Sequence, residues 1–354
     1  MRLGTGFAIC LLFSGLAFGQ DAQSMKTLTF TYPVNPQQIQ EVVNTMRAAG
    51  DIKQIAADTP NSAVTLTGTA AQISLAEWLF QKLDQPPGAR LASPAEYEIT
   101  GDPSPAVQVY YLANIALSRD IQELVNSMRS MASMTSITTY SPLSAIVARG
   151  TVNQMALAQW LVGQIDRPDS QPPSQNPAAY TCQPDNIHDV GVAARVFYLN
   201  NISQPQDIQE MMNSIRSVTQ VQRLAMFTSE KAIILRGSNQ QAAAAEWLVK
   251  ALDKPAGAKP GAALEYQMPT VSDVYPASDV LAAMPNTTPI VEVYYLHNIS
   301  TPQDIQNLVN AIRTMTRMQS ITASNSIRAV VVRGNGGQIA QATQLVQERD
   351  KPAQ

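Results

Sequence analysis

Two histidines, His188 and His297, and two cysteines, Cys10 and Cys182, are the only imidazoles and thiols in this 354-residue chain. A nucleophilic thiol needs a base beside it, and Cys182 with His188 is the one pairing close in sequence. That pair lies in a proline-rich stretch with no helix or strand to fix its geometry, so the reading is that no nucleophilic site forms there. A metal centre needs three or four clustered nitrogen, sulfur or carboxylate ligands. Neither histidine recurs with such partners, and no Ser/His pair or carboxylate cluster recurs either. The chain is therefore expected to be no enzyme, and to use no metal and no cofactor.

A different set of residues does recur, at fixed spacing. Arg47, Arg129, Arg216 and Arg313 are each followed 21 positions later by Gly68, Gly150, Gly237 and Gly334. Asp84, Asp166, Asp253 and Asp350 come 16 positions after the glycines, and each has a proline two residues on. The four arginines read as capping helix carbonyls or pairing with the closing aspartate of the same unit, with contact to the next unit as the alternative. A second arginine, Arg149, Arg236 or Arg333, precedes the glycine in three copies, where the first copy has Thr67. A position that tolerates threonine is not obligatory for the fold, so these are candidates for contact between units as well as for pairing within one. Trp78, Trp160 and Trp247 lie ten residues after the glycine, where the fourth copy has Gln344. They read as packing between helix and sheet, or as anchors that cover the following unit. Tyr97, Tyr180 and Tyr266 keep nearly one offset past the aspartate and are candidates for docking on a neighbouring unit, or coincidence.

These positions require an element order to hold them. A regular internal period is the signature of a repeat architecture, and four copies of about 60 residues span 27–86, 107–168, 195–255 and 291–352. Each opens on an alternating, aromatic-rich run such as Val291-Glu-Val-Tyr-Tyr-Leu296. Thr301-Pro-Gln-Asp304 then offers a capping hydroxyl, a proline at the first helical position and an acid three residues after the cap. Ile305, Leu308, Val309, Ile312 and Met315 follow the stripe of a half-buried helix. Short strands near Ser320–Ala323 and Arg328–Arg333 precede the glycine, and a second helix runs on to the aspartate. The expected fold is α+β, four tandem βαββα repeats. Met128, Met131, Met211, Met212 and Met315 follow helical spacing and read as core or interface filler, core preferred. The linkers, 87–106, 169–194 and 256–290, are rich in Pro, Ala, Ser and Gly and read as mostly extended or flexible.

The bulk composition narrows the partners. Apolar residues make up 45% and charged residues 14%, with a net charge of −3. No Lys/Arg cluster is present to neutralise phosphates, so nucleic acid is not an expected partner. Residues 1–19 read as a signal peptide: Arg2, an apolar stretch from Phe7 to Phe18, and small residues in Ala17-Phe18-Gly19, with cleavage near Gly19/Gln20. No later segment approaches membrane-spanning length. Cys182 would be the sole cysteine of the mature chain, leaving no internal disulfide. The expected location is the periplasm or beyond it.

The repeat resembles the N-terminal, periplasmic domains of bacterial secretins. The residues that carry the resemblance are clear in the third copy: Val196-Phe-Tyr-Leu199, Ile233-Ile-Leu-Arg-Gly237 and Trp247-Leu-Val-Lys-Ala-Leu-Asp-Lys-Pro255. The resemblance implies a KH-like module that packs side by side and binds partners of secretion or pilus machinery. It implies no RNA role, since the Gly-x-x-Gly letters occur only in Gly334-Asn-Gly-Gly337, at the wrong helix junction and without basic neighbours. Secretins continue into a β-rich pore domain, whereas this sequence stops two residues after Pro352, so pore formation is not expected. The expected function is an exported protein-binding scaffold or adaptor, accessory to a secretion or type IV pilus system, with a secretin or pilus component or self-association as its partner. The alternative is an envelope protein that binds glycan such as peptidoglycan.

Overall fold

The structure is a computed structural model that describes residues 23–352 except 87, 90, 103–104, 169, 174, 184–191, 256–257, 259–260 and 269–288. The expected signal segment and His188 lie outside the described residues.

The first unit runs β1 (Ser24–Thr29), α1 (Pro36–Gly50), β2 (Gln54–Asp58), β3 (Ala63–Gly68) and α2 (Ala70–Leu83). The second adds a strand in front: β4 (Ala95–Glu98), β5 (Ala106–Tyr111), α3 (Ser118–Ala132), β6 (Ser136–Tyr140), β7 (Ala145–Gly150) and α4 (Val152–Ile165). The third repeats this with β8 (Ala178–Thr181), β9 (Ala193–Tyr198), α5 (Pro205–Thr219), β10 (Arg223–Phe227), β11 (Ala232–Gly237) and α6 (Asn239–Leu252). The fourth consists of β12 (Leu264–Gln267), β13 (Ile290–Tyr295), α7 (Pro302–Thr316), β14 (Ser320–Ser324), β15 (Ala329–Gly334) and α8 (Gly336–Arg349). The chain is α+β, built from repeated βαββα units. All sheets are antiparallel, ordered β1-β3-β2, β4-β5-β7-β6, β8-β9-β11-β10 and β12-β13-β15-β14. The linkers were expected to be mostly extended or flexible. Within them β4, β8 and β12 are extended, and each supplies the fourth strand of the following sheet.

Local chemistry explains the helix starts. Thr69, Thr151, Ser238 and Asn335 cap the second helices in reciprocal capping boxes with Gln72, Gln154, Gln241 and Gln338. Each glutamine also donates to a carbonyl at the end of the first helix of its unit, Asp51, Ser133, Thr219 or Thr316, at 2.9 to 3.2 Å. This tie dictates the glycine. A Cβ at Gly150 or Gly237 would meet the glutamine Oε1 at 2.6 Å.

The units stack. α1 packs on β6, α3 on β10 and α5 on β14, so each inner sheet has its own helices on one face and the preceding unit's on the other. That is why Ala145-Ile-Val-Ala148, Ala232-Ile-Ile-Leu235 and Ala329-Val-Val-Val332 are continuously apolar, as strands covered on both faces must be. In the first unit the run alternates, Val64-Thr-Leu-Thr67, and β1 is mostly exposed. Hydrophobic clusters accordingly run across the boundaries: Val107, Val109, Tyr140 and Val147 of the second unit belong with Ile39, Val42 and Met46 of the first.

Candidate functional site

The arginine before each glycine crosses a unit boundary. Arg149 Nη1 donates to the Ala49 carbonyl at 3.0 Å, Arg236 Nη1 to Met131 at 2.6 Å and Arg333 Nη1 to Val218 at 2.8 Å. Each acceptor is in the last turn of the preceding unit's first helix, where carbonyls lack intrahelical donors and the helix dipole favours a cation. Strand pleating places the arginine there, because it shares the outward face of its strand with Val147, Ile234 or Val331. Arg149 also pairs with Asp102 in the linker. Arg236 is 5% exposed, and burial pushes the Arg333 guanidinium below its ordinary value. At Thr67 no preceding unit is present among the described residues, and the residue faces outward without such a contact.

Two further recurring contacts complete the boundary, and sequence reasoning missed both. Glu41 accepts from Ser141 N at 2.9 Å, Glu123 from Thr228 N at 2.8 Å and Glu210 from Asn325 N at 2.8 Å, in the hairpin of the next unit. Tyr111, Tyr198 and Tyr295 donate from their hydroxyls to the carbonyls of Lys82, Gln164 and Ala251 at 3.0, 3.0 and 2.9 Å, in the last turn of the preceding unit's second helix. Burial raises the Tyr111 and Tyr198 hydroxyls to about 12, so they stay donors. The signal was available at the chain's ends: the glutamate position becomes Asn307 in the fourth unit, and the tyrosine position becomes Thr29 in the first. The boundary between the second and third units has an additional lock. There Arg167 pairs with Glu230 at 2.9 Å and lies over the Tyr198 ring at 4.6 Å.

The tryptophans meet the linker tyrosines. Trp78–Tyr97, Trp160–Tyr180 and Trp247–Tyr266 each have ring centroids 5.3 Å apart. Tyr97 pairs with Val107, Tyr180 with Ala194 and Tyr266 with Val291 in the following sheet, while the tryptophan rides on the preceding unit's second helix. Gln344 occupies the corresponding place on α8, where no linker strand lies among the described residues.

Other expectations need correction. Arg47, Arg129 and Arg313 neither cap helix carbonyls nor pair with the closing aspartate. They donate to Ile55, Ile137 and Ile321 carbonyls at 3.3, 3.3 and 3.4 Å, on the strand that follows within the unit. The aspartates instead cap the turn after the first strand: Asp253 accepts from the N–H groups of Asn200, Asn201 and Ile202, and Asp350 from those of His297, Asn298 and Ile299. Met128, Met131, Met211 and Met212 are buried, but Met315 is 70% exposed. Its equivalents Ala49, Met131 and Val218 are buried against the next unit, and no such unit covers Met315 among the described residues. Cys182 is buried. Among the described residues no three His, Cys, Asp or Glu side chains converge as metal ligands, and no helix is long and apolar enough to cross a membrane.

No protein-family model matches the chain, and no curated protein does. Solved structures do. The N-terminal domain of the secretin XcpQ from Pseudomonas aeruginosa is 18% identical, with 45% of this chain and 62% of that one covered and a TM-score of 0.17. Aeromonas hydrophila ExeD is 16% identical, with 66% of this chain and 41% of that one covered and a TM-score of 0.16. The ETEC pilotin–secretin AspS–GspD complex is 14% identical, with 92% of this chain and 54% of that one covered and a TM-score of 0.16. The chain spans less than two thirds of the length of each of these three. What it is similar to in this comparison is the secretin and, in the XcpQ case, the secretin's N-terminal domain.

Proposed function

We propose that this protein is an exported, non-catalytic scaffold of the cell envelope that binds other proteins, as an accessory component of a secretion or type IV pilus system. The observation that carries the reading is where the recurring polar residues are spent. Arg149, Arg236 and Arg333, the glutamates opposite them and the tryptophan–tyrosine pairs all join one unit to the next. They do not converge on a cleft. A stacked array of this kind presents a long surface that suits protein partners. Export to the periplasm and the absence of catalysis are parts of the same reading. Crosslinking in the periplasm followed by mass spectrometry tests it: recovery of a secretin or pilus component supports the scaffold, and a chain that crosslinks to no protein counts against it.

A second reading, glycan binding, draws on one feature. Gln40–Asn44, Gln122–Asn126, Gln209–Asn213 and Gln306–Asn310 form exposed amide pairs at 3.1 Å, one per unit at the same place on the first helix. A carboxamide pair repeated once per unit offers donors and acceptors of the kind that polysaccharide hydroxyls meet. Co-sedimentation with peptidoglycan, lost when the four asparagines are changed to alanine, would favour it.

A further inference from the structure

In three of the four units the first strand of the repeat is an inner strand. β5, β9 and β13 each have the third strand of their own unit on one side and a short linker strand on the other. In the first unit β1 pairs only with β3, and among the described residues no strand lies along its other edge. Edge strands are normally blunted by being short, by charged side chains such as lysine, by proline, by bulges or by a covering element; the one charge on β1, Lys26, is tied to Glu77 on α2. β4, β8 and β12 meet that rule with four residues each, whereas β1 has six, SMKTLT, with no proline. The opposite edges, β2, β6, β10 and β14, each have five residues and pair only with the third strand of their unit, so the difference in strand order is confined to β1.

We infer that the open edge of β1 is a docking site for an extended segment of another polypeptide chain, which adds antiparallel to β1 as the linker strands add to β5, β9 and β13. This deepens the protein-binding reading above and rests on it. Strand addition draws its affinity from main-chain hydrogen bonds and its specificity from alternate side chains. Both can be read from the sister units. Thr29 stands opposite Ala63 as Tyr111 stands opposite Ala145. Phe30 N, the next in line, donates toward the β3 side, to the Ser62 carbonyl at 2.9 Å. Tyr111 N points the other way, to Ser93 Oγ in the linker at 3.2 Å, and Tyr198 N does the same to Asn176 Oδ1 at 3.1 Å. By alternation, the N–H groups of Met25, Thr27 and Thr29 face the open edge. In the second unit Glu96 lies opposite Gln108 and accepts its Nε2 at 3.1 Å, and Tyr97 lies opposite Val107. The same register on the first unit sets an acidic residue opposite Lys26 and a large apolar one opposite Met25, which is 74% exposed. Lys26 pairs with Glu77 at 2.6 Å and stays half exposed, so an acidic residue on an added strand would share this ammonium with Glu77. The occupant is thus an extended segment with alternating acidic and apolar residues, of the Ala-Glu-Tyr-Glu type.

The test uses the mature full-length chain and a synthetic peptide with the sequence of residues 93–100 as the probe. Amide hydrogen exchange is followed at Met25, Thr27 and Thr29. With the peptide at ten times its Kd, exchange at these amides should slow about tenfold. Thr27→Pro removes an N–H that faces the open edge and leaves the β1–β3 ladder intact, so it should abolish the protection while the melting temperature stays within a few degrees. A peptide carrying Glu96→Lys should bind more weakly. The inference is overturned if excess peptide leaves exchange unchanged, if the Thr27→Pro chain binds as well as the parent, or if these amides are already protected without peptide. None of those results touches the crosslinking test, which reports partners at any surface.

Discussion

Replacing Arg236 with alanine isolates one boundary contact in the middle of the array. The side chain is 5% exposed and its Nη1 donates to the Met131 carbonyl at 2.6 Å. A hydrogen bond from a charged donor is worth about 1.5–3 kcal/mol, and the cation at a helix C-terminus contributes part of the same figure rather than a separate one. Alanine also leaves a buried carbonyl without this donor and removes the aliphatic stem that packs beneath it. We expect a loss of about 2–3 kcal/mol, concentrated at the boundary between the second and third units. In a linear array, weakening one boundary uncouples the parts on either side. Urea unfolding followed by hydrogen exchange on peptides from each unit should therefore resolve two transitions, units one and two separating from units three and four. Thr67→Ala is the matched control, at the same offset on the outward face of β3, with an expected change below about 0.5 kcal/mol. The reasoning is refuted if Arg236→Ala costs no more than Thr67→Ala, or if the array still unfolds in a single step with unchanged midpoint.

Other consequences follow from the same geometry. A double-mutant cycle on Trp247→Gln and Tyr266→Ala should give a coupling of about 0.5–1.5 kcal/mol, measured by chemical denaturation, and no coupling would show that the rings merely lie near each other. Gly237→Ala brings a Cβ to 2.6 Å from Gln241 Oε1 and should destabilise by about 1–2 kcal/mol. Gly163→Ala, within α4 and with open space around it, should stabilise by about 0.5–1 kcal/mol; thermal melts of the two variants should shift in opposite directions. Glu292 is buried beside Tyr294, and burial is the main reason its carboxyl is held above the usual glutamate range, with Glu265 across the strand adding to it. The folded chain then takes up the proton before the unfolded chain does, so the parent gains stability as pH falls through the raised value toward the ordinary one. Glu292→Gln, which installs the amide found at Gln108, should be the more stable form at neutral pH, and its advantage should disappear in acid; an advantage that grows in acid would reverse the sign.

Much of the single unit could be read from residue order. The fixed interval from arginine to glycine to aspartate reports one fold copied, and Thr301-Pro302 places the start of α7 within a residue. The linker strands are less visible because four residues flanked by prolines carry too little alternation to register; only the nearly constant offset of Tyr97, Tyr180 and Tyr266 points to them. The acceptor of Arg129 is not legible in residue order, because a carbonyl eight residues later, on Ile137, comes near only once β6 folds back along the helix. The stacking of units was written in the sequence in two ways. Val-Thr-Leu-Thr in the first unit alternates where Ala-Val-Val-Val in the fourth does not, and that contrast is the difference between a sheet with one wet face and a sheet with none. The departures in the outer copies, Thr29 and Thr67 in the first and Asn307 and Gln344 in the fourth, fall on surfaces that meet no sister unit among the described residues.

Stacking of each sheet on the preceding unit's first helix is tested most directly by disulfide trapping. Ser214 and Thr322 hydroxyl oxygens lie 2.9 Å apart across the boundary of units three and four, and those of Thr45 and Thr138 lie 3.2 Å apart across units one and two. In the Ser214→Cys, Thr322→Cys pair, and separately in the Thr45→Cys, Thr138→Cys pair, mild oxidation should close an intramolecular disulfide in nearly every molecule. Folded chains that stay reduced under those conditions, or that crosslink only between molecules, would contradict the stacked arrangement.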